Sequence, residues 1–150
     1  MLHYHWHDFF EGASKPSEEE NETNGVLTSP NFGDGLTYPN NLKNKQTIQV
    51  EEGKAIKIHF THWDVEECGN CDYVTITEGD GTTLANLNLD EGILSLKDIP
   101  EFLVSKTDTV HVLFHTDDSV QRAGWRLIWG EYKVCILLQP TEISYRSCYG

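Results

Sequence analysis

An antiparallel β-sandwich is the fold class this sequence predicts, and three observations predict it. Apolar residues alternate with polar ones in several short runs, as strands with one wet face require. Gly, Pro, Asn and Asp cluster between those runs as turn punctuation. No stretch carries the spacing of an amphipathic helix.

Taken in order, Val26-Leu27-Thr28 is a short strand running into the turn-rich Ser29-Pro30-Asn31-Phe32-Gly33-Asp34-Gly35, and Tyr38-Pro39-Asn40-Asn41 continues that loop. Ile48 and Val50 alternate with Thr47 and Gln49, and Glu52-Gly53 reads as a hairpin-like turn. Ile56, Ile58 and Phe60 supply the next inward face against Lys57 and His59. Val74 and Ile76 alternate with Tyr73 and Thr75, and Glu78-Gly79-Asp80-Gly81-Thr82 is a second turn cluster. Leu84 to Phe102 mixes polar loop with short apolar pieces around Pro100 and yields no clear element. Val110, Val112 and Phe114 define a strand ending at Asp117-Asp118-Ser119, and Trp125, Leu127 and Trp129 face inward on the last one. The expected domain therefore runs from residue 25 to 132. Residues 1–24, with Glu18, Glu19, Glu20 and Glu22 close together, read as an acidic solvated leader, and residues 133–150 form a tail with no counterpart earlier in the chain.

A chain of 150 residues fits one domain with tails, and a formal net charge of −13 excludes nucleic acid and anionic membrane surfaces as natural partners, since both need a basic face. Cations and basic partners fit better. The first ten residues lack the long apolar core of a secretory signal peptide, and nothing reaches transmembrane length. Asn21-Glu22-Thr23 is an acceptor triplet for glycosylation at Asn21, which has meaning in the secretory pathway. One module of a longer secreted or surface protein is the expectation.

The chemistry concentrates between Phe60 and Ile76, where Glu66, Cys68, Cys71 and Asp72 fall in a loop between two strands, with Asp117 and Ser119 as a distant counterpart. Several carboxylates at the rim of a rigid sandwich suit a hard cation, which needs many oxygen ligands at once; acids in turns are otherwise ordinary solvated residues. Four cysteines admit three disulfide connectivities; Cys135 and Cys148 could bridge the tail, and a disordered tail without that bridge is the equal alternative. A redox role for Cys68 and Cys71 lacks the βαβ context such pairs use, and zinc would need two further ligands, for which His59 and His62 meet no standard spacing. His3, His5 and His7 would share one face of a strand, but at a chain end they read as exposed. His115, Asp117 and Ser119 invite a triad reading, yet alternate residues of one strand and turn cannot form that hydrogen-bonded chain. No nucleophile elbow, phosphate loop or zinc-protease helix motif is present, so no catalysis is expected.

Four pieces, in order, carry a resemblance: Gly25 to Phe32 with Tyr38-Pro39; His62-Trp63-Asp64-Val65-Glu66; Asp72-Tyr73-Val74-Thr75-Ile76 with Gly79; and Val112 to Ser119 with Gly124-Trp125. Together they make residues 25 to about 132 resemble a CUB domain, an extracellular, jelly-roll-like β-sandwich. The resemblance implies a calcium site at Glu66, Asp72 and Asp117, with Ser119 close to the ion or the bound ligand. It also implies recognition of a Lys or Arg side chain on a partner protein by Glu66, Asp117 and Ser119 beside the bound Ca2+. A non-catalytic appendage of a secreted metalloprotease, or a calcium-free spacer, are the alternative roles.

Three departures from the family pattern follow. A family tyrosine before the first strand's Gly, which helps anchor one of the acids, is Asn24 here, leaving the site looser or completed by the Asn24 amide. The first family disulfide is absent, with Asn44 at its second cysteine and Gln46 at the nearby Trp. The second family disulfide lacks its partner, since Leu84 to Gly92 contains no cysteine, leaving Cys68 and Cys71 to pair locally or stay reduced.

Overall fold

The computed structural model describes residues 23–89, 95–138 and 143–147, with backbone alone from residue 134 onward. Among these residues ten strands follow one another: β1 (Asn24–Thr28), β2 (Lys43–Gln49), β3 (Ala55–Asp64), β4 (Tyr73–Glu78), β5 (Thr83–Leu87), β6 (Leu103–Val104), β7 (Thr109–His115), β8 (Gly124–Tyr132), β9 (Val134–Leu138) and β10 (Ile143–Ser147). Among the described residues one 3-10 turn, at Leu96–Asp98, interrupts them. Two four-stranded antiparallel sheets form the sandwich, ordered β1-β8-β3-β6 and β2-β7-β4-β5. Among the described residues, strands β9 and β10 pair with each other and with no other strand, so part of the expected tail is an antiparallel strand pair. Among the described residues no helix is long and apolar enough to cross a membrane.

The alternation seen in sequence is the alternation of burial. Ile56, Ile58 and Phe60 from one sheet meet Ile48, Val74, Ile76, Val110, Val112 and Phe114 from the other, with Trp125 and Leu127 fully enclosed between them. Each fully buried side chain of this kind contributes roughly 1.5–3 kcal/mol relative to exposure, which makes the facing rows the main source of stability. Trp125 stands edge-on to both Phe60 and Phe114, which suits aromatic quadrupoles better than face-to-face stacking. Where the family pattern has a cysteine and a tryptophan, Gln46 Nε2 donates to the Thr28 carbonyl at 3.0 Å and to Asn44 Oδ1 at 3.2 Å. That polar pair ties β2 of one sheet to β1 of the other.

Two expectations change. Glu52-Gly53 is not a hairpin turn: β2 and β3 lie in different sheets, so this turn crosses the sandwich. Between Leu84 and Phe102 the chain forms most of β5 and the 3-10 turn, with β5 paired to β4 across the Glu78–Thr82 turn. The connections β1–β2, β3–β4 and β7–β8 also cross between sheets, and they do so at one end of the sandwich. The registers fix this, because Asp64 pairs with Gly124 and Lys43 and Tyr73 both pair with His115.

Gly124 is where the β7–β8 crossing enters β8, and it needs to be glycine for two reasons. Its φ is +101°, and an added Cβ would collide with Ser29 Oγ, which accepts the Trp125 N–H at 3.0 Å. Gly53 has φ +85° but open space around it. Gly124→Ala is expected to cost about 2–5 kcal/mol by urea denaturation, combining backbone strain with overpacking. Gly53→Ala is expected to cost only about 1–2 kcal/mol, from backbone strain alone.

Candidate metal centre

Asp72 closes the β3–β4 crossing and is fully buried. Its Oδ2 accepts the Tyr38 hydroxyl at 2.6 Å and its Oδ1 accepts the Asp117 N–H at 2.9 Å. One carboxylate thereby joins all three crossing loops: Tyr38 belongs to the first, Asp72 to the second and Asp117 to the third. Tyr38 is itself buried and stands edge-on to Phe114 at 5.1 Å, so the core fixes where its hydroxyl points. The same hydroxyl accepts the Glu66 N–H at 3.1 Å. Burial, followed by the hydrogen bond to Asp72, pushes the Tyr38 hydroxyl far above the ordinary phenol range, keeping it a donor.

Glu66 is held from its other side by Asn88, whose Nδ2 donates to the Glu66 carbonyl at 3.1 Å and whose carbonyl accepts the Asn70 N–H at 3.1 Å. Asn88 is buried with φ +62°, a conformation asparagine tolerates better than most residues. The Asp117 turn is seated on the Tyr38-Pro39-Asn40-Asn41 loop: Asn41 N–H donates to the Asp117 carbonyl at 2.7 Å, Asn40 Nδ2 to the Asp118 carbonyl at 3.0 Å, and Thr116 Oγ1 to the Pro39 carbonyl at 2.8 Å. Ser119 donates its N–H to Asp117 Oδ1 at 3.0 Å, fixing the carboxylate from its own turn.

The result is a convergence of like charges. Carboxylate oxygens of Glu66, Asp72 and Asp117 lie within 4.8 Å of one another. Burial, then the charges of Asp117 and Asp72, push the Glu66 carboxyl above the ordinary range, with Arg122 opposing. Glu66 Oε2 is buried with no hydrogen-bond partner among the described residues. An orphaned carboxylate oxygen facing two further carboxylates is uncompensated as protein alone, and an oxygen-seeking divalent cation is the group this donor set fits.

Of the residues singled out by sequence, Glu66, Asp72 and Asp117 come together, and Ser119 joins through its backbone to Asp117. Cys68 and Cys71 are joined as a disulfide within the same loop. Asn24 is a correction: it pairs with Gly130, which pairs in turn with Lys57, so it sits at the opposite end of β1, β8 and β3 from the acids. The anchoring tyrosine is Tyr38, its signal being the Tyr-Pro pair already present in the family-like loop. Asn88 had no sequence signal beyond its residue type in a turn-rich stretch. His115 stacks on Tyr73 at 4.6 Å. Asn21, His3, His5, His7 and any Cys135–Cys148 bridge lie outside the described residues or side chains.

A two-sheet sandwich with three carboxylates converging at one rim defines a β-sandwich module whose candidate site is made by inter-sheet crossings. The chain belongs to the CUB domain family, whose model matches residues 17–129. It is 30% identical over 111 residues to rat (Rattus norvegicus) cubilin, covering 74% of this chain and 3% of that protein. It is 31% identical over 112 residues to the zinc metalloproteinase nas-39 of Caenorhabditis elegans, covering 69% of this chain and 11% of that one. The chain thus spans a small part of these curated relatives. Among solved structures it is similar to the MASP-1 CUB2 domain bound to Ca2+, with 27% identity, a TM-score of 0.57, and coverage of 71% of this chain and 90% of that one. CUB domains are in general non-catalytic interaction modules, though proteases carry them too.

Tyr38→Phe removes one partner from buried Asp72 and one from the Glu66 N–H. Urea denaturation is expected to show a loss of about 1–3 kcal/mol with an unchanged m-value. A loss within error of zero would contradict the joining role assigned to this hydroxyl.

Proposed function

We propose that the chain is a non-catalytic, extracellular protein-interaction module in which Glu66, Asp72 and Asp117 hold Ca2+ and the site recognises a Lys or Arg side chain of a partner. The observation that carries this reading is the orphaned, buried Glu66 Oε2 within a group of three converging carboxylates. Ca2+ supplies the positive charge that such a cluster lacks and orders its loops. Asp72 contributes from a fixed orientation, because Tyr38 and the Asp117 N–H hold both its oxygens. Glu66 and Asp117, both half-buried, face the rim and retain acceptor capacity for a cationic side chain. Ser119 lies against Asp117 and offers its hydroxyl to the same ligand. A single charge-assisted contact of this kind is modest, and it becomes strong when several modules act together. Similarity to the Ca2+-bound MASP-1 domain supports the ion, and the net charge of −13 supports a basic partner. The module extends from about residue 25 to 132, and Asn21 serves as a glycosylation site ahead of it.

A second reading is favoured by one observation, the similarity to the zinc metalloproteinase nas-39. In it the chain is a binding appendage of a larger secreted enzyme whose catalytic residues lie outside this sequence. Both readings share the cation site.

Calorimetric titration of Ca2+ into the full chain is expected to show one saturable site between roughly micromolar and millimolar affinity. Melting temperature should rise by about 5–10 °C at a hundredfold excess over the dissociation constant. Asp117→Ala should abolish both effects and Asp98→Ala, outside the site, neither. A lysine-bearing peptide should then bind in Ca2+ and be released by chelator, whereas its acetyl-lysine form should not bind. Absence of both heat and thermal shift would leave a structural spacer.

A further inference from the structure

The loop that supplies Glu66 also places a second, softer donor set beside it. The Sγ atoms of Cys68 and Cys71 and a carboxylate oxygen of Glu66 lie within 4.8 Å of one another, all three residues being half-buried. Glu66 is thus common to an all-oxygen group with Asp72 and Asp117 and to a sulfur-containing group with the cysteines. While the sulfurs are bonded to each other they carry no charge and ligate metals poorly, so Glu66 belongs to the oxygen group alone.

We propose that the Cys68–Cys71 bridge is a reducible gate, and that its reduction turns Cys68, Cys71 and Glu66 into a three-ligand site for a thiophilic divalent cation such as Zn2+. The Cys-x-x-Cys spacing, with Cα atoms 5.5 Å apart, is the spacing zinc sites use. That separation does not depend on the covalent bond alone. Cys68 N–H donates to the Glu66 carbonyl at 2.9 Å, Cys71 N–H to the Cys68 carbonyl at 3.4 Å, and Asn70 N–H to the Asn88 carbonyl at 3.1 Å. The turn is therefore a preformed hydrogen-bonded unit. The bridge closes a ring between residues only three apart, so it constrains the unfolded chain little, and opening it leaves the sandwich standing. Cys68 and Cys71 are both only half-buried, which leaves the bridge open to soluble thiols.

The chemistry balances with a dithiol as reductant. One of its thiolates attacks a bridge sulfur, breaking the Cys68–Cys71 bond and forming a mixed disulfide. Its second thiolate then displaces the protein sulfur, leaving two cysteine thiols and the reductant's own internal disulfide. Two electrons pass from reductant to bridge. As metal–sulfur bonds form, each thiol releases its proton to solvent. Water completes the coordination, which leaves an open position of the kind found in zinc sites with three protein ligands.

This gate rests on the proposed calcium reading only in claiming that Glu66 serves both ions, and the experiment separates the two claims. The full chain is reduced with a dithiol, freed of reductant under anaerobic conditions and titrated with Co2+ and then Zn2+. The thiolate-to-cobalt charge-transfer band and chelator competition are the readouts. One equivalent is expected to bind to the reduced chain and to reduced Cys135→Ser/Cys148→Ser, and none to the oxidised chain or to Cys68→Ser/Cys71→Ser. Glu66→Gln should weaken zinc at least about tenfold, and zinc loading should weaken Ca2+ by a similar factor. Asp117→Ala should lose Ca2+ and keep zinc, so failure of the calcium reading leaves this arm intact. A charge-transfer band that survives Cys68→Ser/Cys71→Ser, or its absence from the reduced chain, would overturn the site. Calcium affinity unchanged by zinc loading would overturn the gate.

Discussion

A carboxylate with no solvent exposure has to be compensated by its neighbours, and Asp72 is compensated by a tyrosine hydroxyl and a backbone amide from two different loops. Removing the hydration of an ionised group costs several kcal/mol unless such partners replace it. The two hydrogen bonds therefore do more than satisfy Asp72. They also tie the three crossings to one another. Glu66 is placed through the same Tyr38 hydroxyl, and Asp117 through the amide that Asp72 accepts.

The sandwich makes this arrangement possible because six of the connections between its described strands pass from one sheet to the other, and three of these lie at this one rim. Crossing loops bring residues from distant parts of the chain to one rim, while the buried rows of Ile, Val, Phe and Trp keep their anchors rigid. The cost is that the acids repel. Glu66 bears it most visibly, with a carboxyl pushed up by burial and by its two acidic neighbours. A divalent cation bound there, as proposed, would relieve that repulsion and couple ion binding to loop order.

Much of the fold was legible because alternation reports burial directly: the inward residues expected on β3, β4, β7 and β8 are the ones that are buried or packed against the core. What alternation cannot encode is which sheet a strand joins. Glu52-Gly53 has hairpin chemistry, yet the two strands it connects part company, because turn residues fix local backbone and not the pairing partner. The three acids were found through the family-like pattern rather than from spacing, since Asp117 is 45 residues from Asp72 and no local rule links them. Asn24 stands at the family tyrosine's place in sequence but at the far end of its strand from the acids. The true anchor, Tyr38, was visible in the Tyr-Pro pair, but its role depends on a buried hydroxyl that only the packed structure reveals.

The proposed ordering of this rim by a divalent cation on the three carboxylates is a local, loop-level effect. Amide hydrogen exchange of the full chain, with and without Ca2+, tests it most directly because it reports loop by loop. Ca2+ is expected to slow exchange in the segments 66–72 and 117–119 while leaving the strand interiors of β3 and β7 unchanged. Uniform slowing across the chain, or no change at the rim, would contradict it.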